Sequence, residues 1–156
     1  MKKYTQEDFD NFEVNERGFK ICPSGDYSNI KEFGVRCSFG EWCSFGERCS
    51  FGKCCSFGER CKFHEGCSIE SNVFKLFLKF EGFGRERRCT YFYLLEDDSI
   101  FVRCGCFSGN ADEFEKKIKE THGNNFYAQG YLKVLELAKW QFEASKNNKL
   151  GDENNG

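Results

Sequence analysis

The sequence predicts a mainly β chain: a stack of six-residue repeats, then a small antiparallel sheet, then two helices at the carboxyl end. Three observations carry this. From Phe33 the chain reads FGVRCS, FGEWCS, FGERCS, FGKCCS, FGERCK, FHEGCS, IESNVF, seven hexads in unbroken register. Between Val73 and Cys106, stretches rich in Phe, Tyr, Leu, Ile and Val alternate with turn residues, and after Asn110 the apolar residues take up helical spacing.

In the repeat, the large position falls at Phe33, Phe39, Phe45, Phe51, Phe57, Phe63 and Ile69, and the small one at Cys37, Cys43, Cys49, Cys55, Cys61, Cys67 and Val73. A period of six fits neither an α-helix nor a heptad coil, and a lone amphipathic strand would alternate every two residues. It fits a triangular coil with six residues to a side. The large residue and the one four later point inward, a glycine beside the large residue makes the corner, and the intervening pair, mostly Glu and Arg, faces water. Parallel strands then stack at about 4.8 Å per coil.

This pattern resembles the bacterial hexapeptide-repeat superfamily, in which an aliphatic residue, a small or acidic one, two free positions, a small residue and one more free position recur. The resemblance implies a short left-handed parallel β-helix of hexapeptide repeats, followed here by a small antiparallel sheet and two C-terminal capping α-helices. The chain departs from the family by using Phe for Leu, Ile or Val and Cys for the small residue, a style closer to the Phe-Gly-Cys solenoids of phages and prophages. With three hexads per coil, residues eighteen apart stack: Phe39 on Phe57, Cys43 on Cys61, and Trp42 on Arg60 as a cation-π pair of about 0.5–1 kcal/mol. The register extends backwards to Tyr27 and Ile21, where Lys31 would occupy an inward position.

Open coil ends need covers. At the amino end, 1–20 forms a cap, with Thr5-Gln6-Glu7-Asp8 as a capping box before Phe9 and Phe12 and Asn15-Glu16-Arg17-Gly18 as a turn. The repeat spans 21–74. Residues 75–107 continue as antiparallel strands, Arg87 to Leu95 and Ser99 to Cys106 joined at Glu96-Asp97-Asp98. Residues 108–144 hold two helices, the first capped by Asn110 and closed by Gly123, the second carrying the stripe Tyr127, Tyr131, Leu135, Ala138 and Phe142. The polar tail 145–156 reads as disordered.

The balance of 23 basic and 25 acidic residues gives no general attraction for phosphate backbones or anionic membranes. No segment is apolar enough to span a bilayer, and the first residues turn acidic where a signal peptide would turn apolar. The reading is cytoplasmic. Eleven cysteines without an export signal, most of them fixed by the repeat, read as reduced thiols used as small core residues rather than as a disulfide scaffold.

Chemistry is sparse. The superfamily resemblance implies acyl transfer by a trimer, with a histidine as general base and coenzyme A between subunits; His64 is the one residue placed for that role, at an outward corner. His122 beside Gly123 reads as a helix-end residue serving the dipole. No cofactor is expected and no metal set is evident; Cys89, Cys104 and Cys106 are weak candidates for zinc or a redox pair, Cys104 and Cys106 falling on one face of a strand. Outward Arg36, Arg48 and Arg60 alternate in sign with Glu41, Glu47 and Glu59, which disfavours a nucleic-acid track.

The leading expectation is a non-catalytic protein-binding module of a phage or mobile element, acting on a host protein and inhibiting a defence system. Its contact residues would be Trp42, Arg48, Arg60, Glu41, Glu47, Glu59, Arg87 and Arg88, and it could self-associate as a dimer or trimer. The alternatives are a divergent trimeric acyltransferase-like protein and a small-ligand, nucleotide-type sponge with its ligand between subunits or beneath the helical cap.

Overall fold

The structure is a computed structural model and describes residues 1–147. The chain forms two compact units, Met1–Lys75 and a second beginning at Leu76. It is mixed α/β rather than mainly β: each strand of the repeat is only two or three residues long, while two helices fill much of the second unit. The tail expected over 145–156 needs correction at its start, since Ser145 and Lys146 belong to the last helix and Asn147 caps it; from 148 onward it lies outside the described residues.

In the first unit, a short helix α1 (Gln6–Asp10) opens on the expected capping box, with Thr5 accepting from the Asp8 N–H and the Asp8 carboxylate accepting from the Thr5 N–H. Seven short strands follow: β1 (Lys20–Cys22), β2 (Cys37–Phe39), β3 (Ser44–Phe45), β4 (Ser50–Phe51), β5 (Ser56–Phe57), β6 (Lys62–Phe63) and β7 (Ser68–Ile69). β2, β3 and β4 each pair in parallel with the strand three hexads later, as Ser38 with Ser56, Ser44 with Lys62 and Ser50 with Ser68, and β1 pairs in parallel with β2. Three separate ladders result. The second of them begins upstream of the repeat, since Lys3 pairs with Asp26 and Asp26 with Ser44.

The inward residues interlock. Consecutive rings along the chain meet edge to face, as Phe39–Phe45 at 4.9 Å and 88° and Phe51–Phe57 at 4.9 Å and 87°. Rings one layer apart lie parallel, as Phe33–Phe51 at 4.8 Å and 7° and Phe45–Phe63 at 4.9 Å and 16°. Both arrangements match the ring quadrupole, each pair adding about 0.5–1.5 kcal/mol beyond area burial. Tyr27 extends the Phe45 column, and Tyr4 covers Tyr27 at 5.1 Å. The thiols fill the gaps and donate to backbone carbonyls, Cys37 to Phe33 at 3.1 Å and Cys67 to Gly46 at 3.3 Å. All eleven cysteines are free. Contact with Cys22, together with burial, pushes the Cys37 thiol up to about 12, so it is neutral at physiological pH.

Four expectations for the repeat need correction. From the second hexad on, the corner is not made by the glycine: the left-handed backbone falls on the fourth residue of the hexad, Trp42, Arg48, Cys54 and Arg60, with φ of 57–63°, while in the first hexad both Gly34 (φ 73°) and Arg36 (φ 54°) are left-handed. The glycine is required instead by close approach of the preceding layer. A Cβ at Gly46 would stand 2.6 Å from the Ser28 carbonyl oxygen, and one at Gly58 would stand 2.6 Å from the Glu41 nitrogen. Upstream, Cys22 rather than Ile21 is opposite Phe39, because the segment from Cys22 to Tyr27 is one residue short of a hexad; Ile21 is exposed. Ile30 rather than Lys31 points inward, and the Lys31 ammonium donates to the Glu47 carbonyl at 2.7 Å. Finally, the seventh hexad is not completed. Glu70 and Ser71, at φ 48° and 68°, reverse the chain so that Asn72 and Val73 pair antiparallel with β7, and Phe74 packs on Phe63 at 5.6 Å.

The strand after this reversal, β8 (Asn72–Phe83), runs on into the second unit. There it neighbours β9 (Arg88–Leu95), which pairs antiparallel with β10 (Ile100–Cys104), and β10 pairs with a short β11 (Phe107–Asn110). Two helices follow, α2 (Ala111–His122) and α3 (Phe126–Lys146). Alternation gives the sheet two faces. Phe92, Leu94 and Val102 join Phe114 and Ile118 of α2 and Tyr131, Leu135, Ala138 and Phe142 of α3 in one core. The stripe on α3 starts at Ala128 and includes Val134; Tyr127 is only half-buried. On the opposite face Tyr91 and Tyr93 are buried, and the Arg103 guanidinium donates to the Tyr93 hydroxyl at 3.0 Å and lies 5.2 Å from the Tyr91 ring. No helix among the described residues is long and apolar enough to cross a membrane.

Candidate functional site

The residues singled out on the repeat form regular columns. Trp42 and Arg60 occupy the same hexad position one layer apart, with the guanidinium 4.9 Å from the indole, and Trp42 is 54% exposed. Glu41 and Glu59 precede them in the same column, while Glu47 and Arg48 sit at the corresponding place in the next hexad; all are exposed. Two of these left-handed residues are fixed by their backbone, the N–H of Trp42 donating to the Glu59 carbonyl at 2.9 Å and that of Arg48 to the Glu65 carbonyl at 2.9 Å. The row is therefore rigid and mixed in charge. Arg87 and Arg88 belong to the second unit.

His64 is exposed and its own N–H is tied to the Phe45 carbonyl at 3.2 Å. Cys104 and Cys106 do not share a strand face as expected, because β10 ends at Cys104 and Gly105-Cys106 form the turn into β11, with Gly105 at φ 57°. The Cys104 thiol contacts the Thr90 hydroxyl at 3.3 Å and the Tyr131 hydroxyl at 3.7 Å. Among the described residues no group of three His, Cys, Asp or Glu side chains is arranged to hold a metal.

A concave site lies elsewhere, within the second unit. Three local structures build it. The β8–β9 turn (84–87) brings Arg85, Glu86 and Arg88 to one side. The β10–β11 turn supplies Cys106 and Phe107. Helix α2 contributes Phe114, Ile118 and His122 at four-residue steps, with Lys117 and Thr121 on the adjoining row, as one helix face must. Tyr131 of α3 and Asn125, the cap of α3, close it, and the cavity measures about 440 Å³, within the roughly 300–1,000 Å³ usual for small-molecule sites.

Two glycines permit this closure. Gly84, at φ 82°, lies where a Cβ would collide with the Tyr131 hydroxyl, and Gly105 where it would collide with the Arg88 guanidinium. Tyr131 is held by donating to the Phe83 carbonyl at 3.4 Å, and burial pushes its phenol well above the ordinary range, so it remains an O–H. Its ring meets Phe114 edge to face at 5.9 Å and His122 face to face at 6.0 Å.

Charge in the cavity is one-sided. Arg88 is paired with the Glu86 carboxylate, but Arg85 and Lys117, both exposed, have no carboxylate partner among the described residues. The arrangement can bind an anion against an aromatic wall. It offers no hydrogen-bonded nucleophile and base among the described residues: Cys104 contacts hydroxyls, and His122 contacts rings.

Of the expected site residues only Arg88 and the weak metal candidates Cys104 and Cys106 line this cavity. As site residues Lys117, Thr121, His122 and Tyr131 were missed. The signal available was the four-residue spacing of Phe114, Ile118 and His122 beside Lys117 and Thr121, which marks a helix face too polar to be pure core. Comparison of the chain with protein-family models, curated proteins and solved structures finds no match.

Proposed function

We propose that the protein is a non-catalytic binding protein that holds a small anionic molecule in the cavity of its second unit. One observation carries this: two cations without carboxylate partners among the described residues, Arg85 and Lys117, share a cavity of about 440 Å³ with an aromatic wall. An anion entering the cavity meets both positive charges at once, and each attracts it. Native mass spectrometry of the intact chain, captured gently from its host lysate, tests the reading. A small adduct on the wild type that disappears in the Arg85→Glu, Lys117→Glu double variant is expected. An adduct-free wild type, or an adduct indifferent to the double variant, would overturn it.

The first half is read as a short left-handed parallel β-helix of hexapeptide repeats, supported by the three parallel ladders in eighteen-residue register; its hand rests on the superfamily resemblance. A second reading, recognition of a host protein by a phage or mobile-element product, has one observation in its favour. The Trp42 indole is 54% exposed and held 4.9 Å from the Arg60 guanidinium, and a fixed exposed tryptophan is a favoured anchor in protein recognition. A stoichiometric protein partner lost on Trp42→Ala would favour that reading, and a partner-free protein would remove it.

A further inference from the structure

Resting on the anion-binding reading above, we propose that the ligand is a phosphomonoester attached to a planar ring, the chemistry of a nucleoside monophosphate. The argument begins with charge. Arg88 is already neutralised by Glu86, which leaves Arg85, whose guanidinium lies 5.8 Å from the Tyr127 ring, and Lys117 as the two cations of the cavity with no carboxylate partner among the described residues. A phosphomonoester carries about −1.5 to −2 charges at neutral pH and three acceptor oxygens, so it matches two such cations, whereas a single carboxylate would leave one of them unanswered. Arginine and lysine also divide the work, the fork of Arg85 fitting two oxygens and Lys117 acting as a point charge.

The rest of the cavity suits a flat, partly polar group. Phe107 and His122 are half-buried and line it with ring surface, and Tyr131 backs His122 at 6.0 Å. Stacking of a base on such rings contributes affinity without demanding one base. Hydrogen-bonding groups sit beside the rings. The Asn125 side-chain oxygen is committed to the Ala128 N–H at 3.0 Å, which directs its NH₂ group to donate elsewhere, and the Thr121 hydroxyl can donate or accept. A saturated polyanion would use the cations and waste the rings; an uncharged aromatic would do the reverse.

The two halves of the ligand can be tested apart. Isothermal titration of the full chain with AMP, GMP, CMP and UMP, with inorganic phosphate and with adenosine should show at least one monophosphate binding tenfold or more tightly than phosphate or adenosine. Lys117→Glu, an exposed position on α2, should weaken that monophosphate at least tenfold and leave the melting temperature unchanged. Phe107→Leu should weaken the monophosphate several-fold while leaving phosphate binding as it was. Phosphate binding as tightly as every monophosphate would overturn the ring assignment and spare the anion-binding reading. Adenosine binding as tightly as AMP would overturn the phosphate assignment and that reading together. Failure of all four monophosphates alongside a charge-dependent adduct in native mass spectrometry would overturn only the ligand class proposed here.

Discussion

In the first unit an aromatic ring recurs every six residues and meets the same kind of neighbour each time, a ring edge along the chain and a ring face one layer away. In the second unit the core has no such period: Phe92, Phe114, Tyr131 and Phe142 come from the sheet and both helices at irregular spacing and meet in one cluster. The difference decides where a ligand can go. A core built by one repeated rule closes uniformly and leaves only its outer columns for recognition. An aperiodic core meets its turns and helix ends irregularly, and at one such junction, among the turns 84–87 and 105–106 and the face of α2, it leaves a cavity with unmatched charge.

The comparison can be broken most forcefully in the ring lattice. Phe51→Ala removes a ring that stacks on Phe33 at 4.8 Å and meets Phe45 and Phe57 edge to face. Because the neighbouring rings are held in place by their own layers, the void should persist, and urea denaturation should show a loss of about 3–5 kcal/mol. A loss below about 1 kcal/mol would mean that the lattice repacks and is not the rigid element described here.

Glycine comes next. Gly58→Ala forces a Cβ against the backbone of Gly40 and Glu41 and should cost about 3 kcal/mol, the upper end for overpacking. Gly82→Ala, at φ 88° with open space around it, should cost only about 1 kcal/mol, through backbone conformation alone. Equal costs in thermal melts would return the hexad glycine to the corner role that the sequence suggests.

Capping is a smaller effect. Asn110 accepts from the Glu113 N–H at 2.8 Å and Glu113 accepts from the Asn110 N–H at 3.0 Å, so Asn110→Ala should destabilise by about 1 kcal/mol. The left-handed row should respond in the opposite direction. Arg48→Gly should leave stability unchanged or raise it by about 0.5 kcal/mol, the relief of strain slightly exceeding the entropy lost by glycine; Gly66 already stands at this position in the next layer. A clear destabilisation would show that the arginine side chain, not the backbone, organises that column. The acid limb of the pH profile is the mildest test. Bonds donated by Thr5 hold the Asp8 carboxyl below its usual range, as those from Ser28 do for Asp26. Their stabilising effect is therefore present above the ordinary carboxylate pKa and is lost as pH falls through the lowered folded values, so the melting temperature should begin to drop only on the acid side of about pH 4.

Legibility followed the same division. Period, pairing partners, the Phe and Cys columns and the Trp42–Arg60 contact could be read directly, because a repeat states its own register many times. What could not be read were the places where the rule is interrupted once: the five-residue step from Cys22 to Tyr27, the inward Ile30, and the reversal at Glu70-Ser71, each decided by a single local event. In the second unit the strands and helices were legible from alternation, turns and caps, but the cavity was not. Arg85 and Lys117 lie 32 positions apart in sequence, and only the pairing of β9 with β10 and the packing of α2 on the sheet bring them to one opening. β11 was missed because four residues after a Cys-Gly-Cys turn carry too little pattern to distinguish a strand from a loop.

The most direct test of the central claim is a proton–nitrogen NMR titration of the full chain with AMP, which reads both units in one spectrum. Shifts confined to the amides of Gly84–Arg88, Cys104–Phe107 and Lys117–Asn125, with Phe33–Ser68 unmoved, are the expected result. Shifts concentrated in the repeat, or none at millimolar AMP, would contradict the assignment of ligand binding to the aperiodic unit.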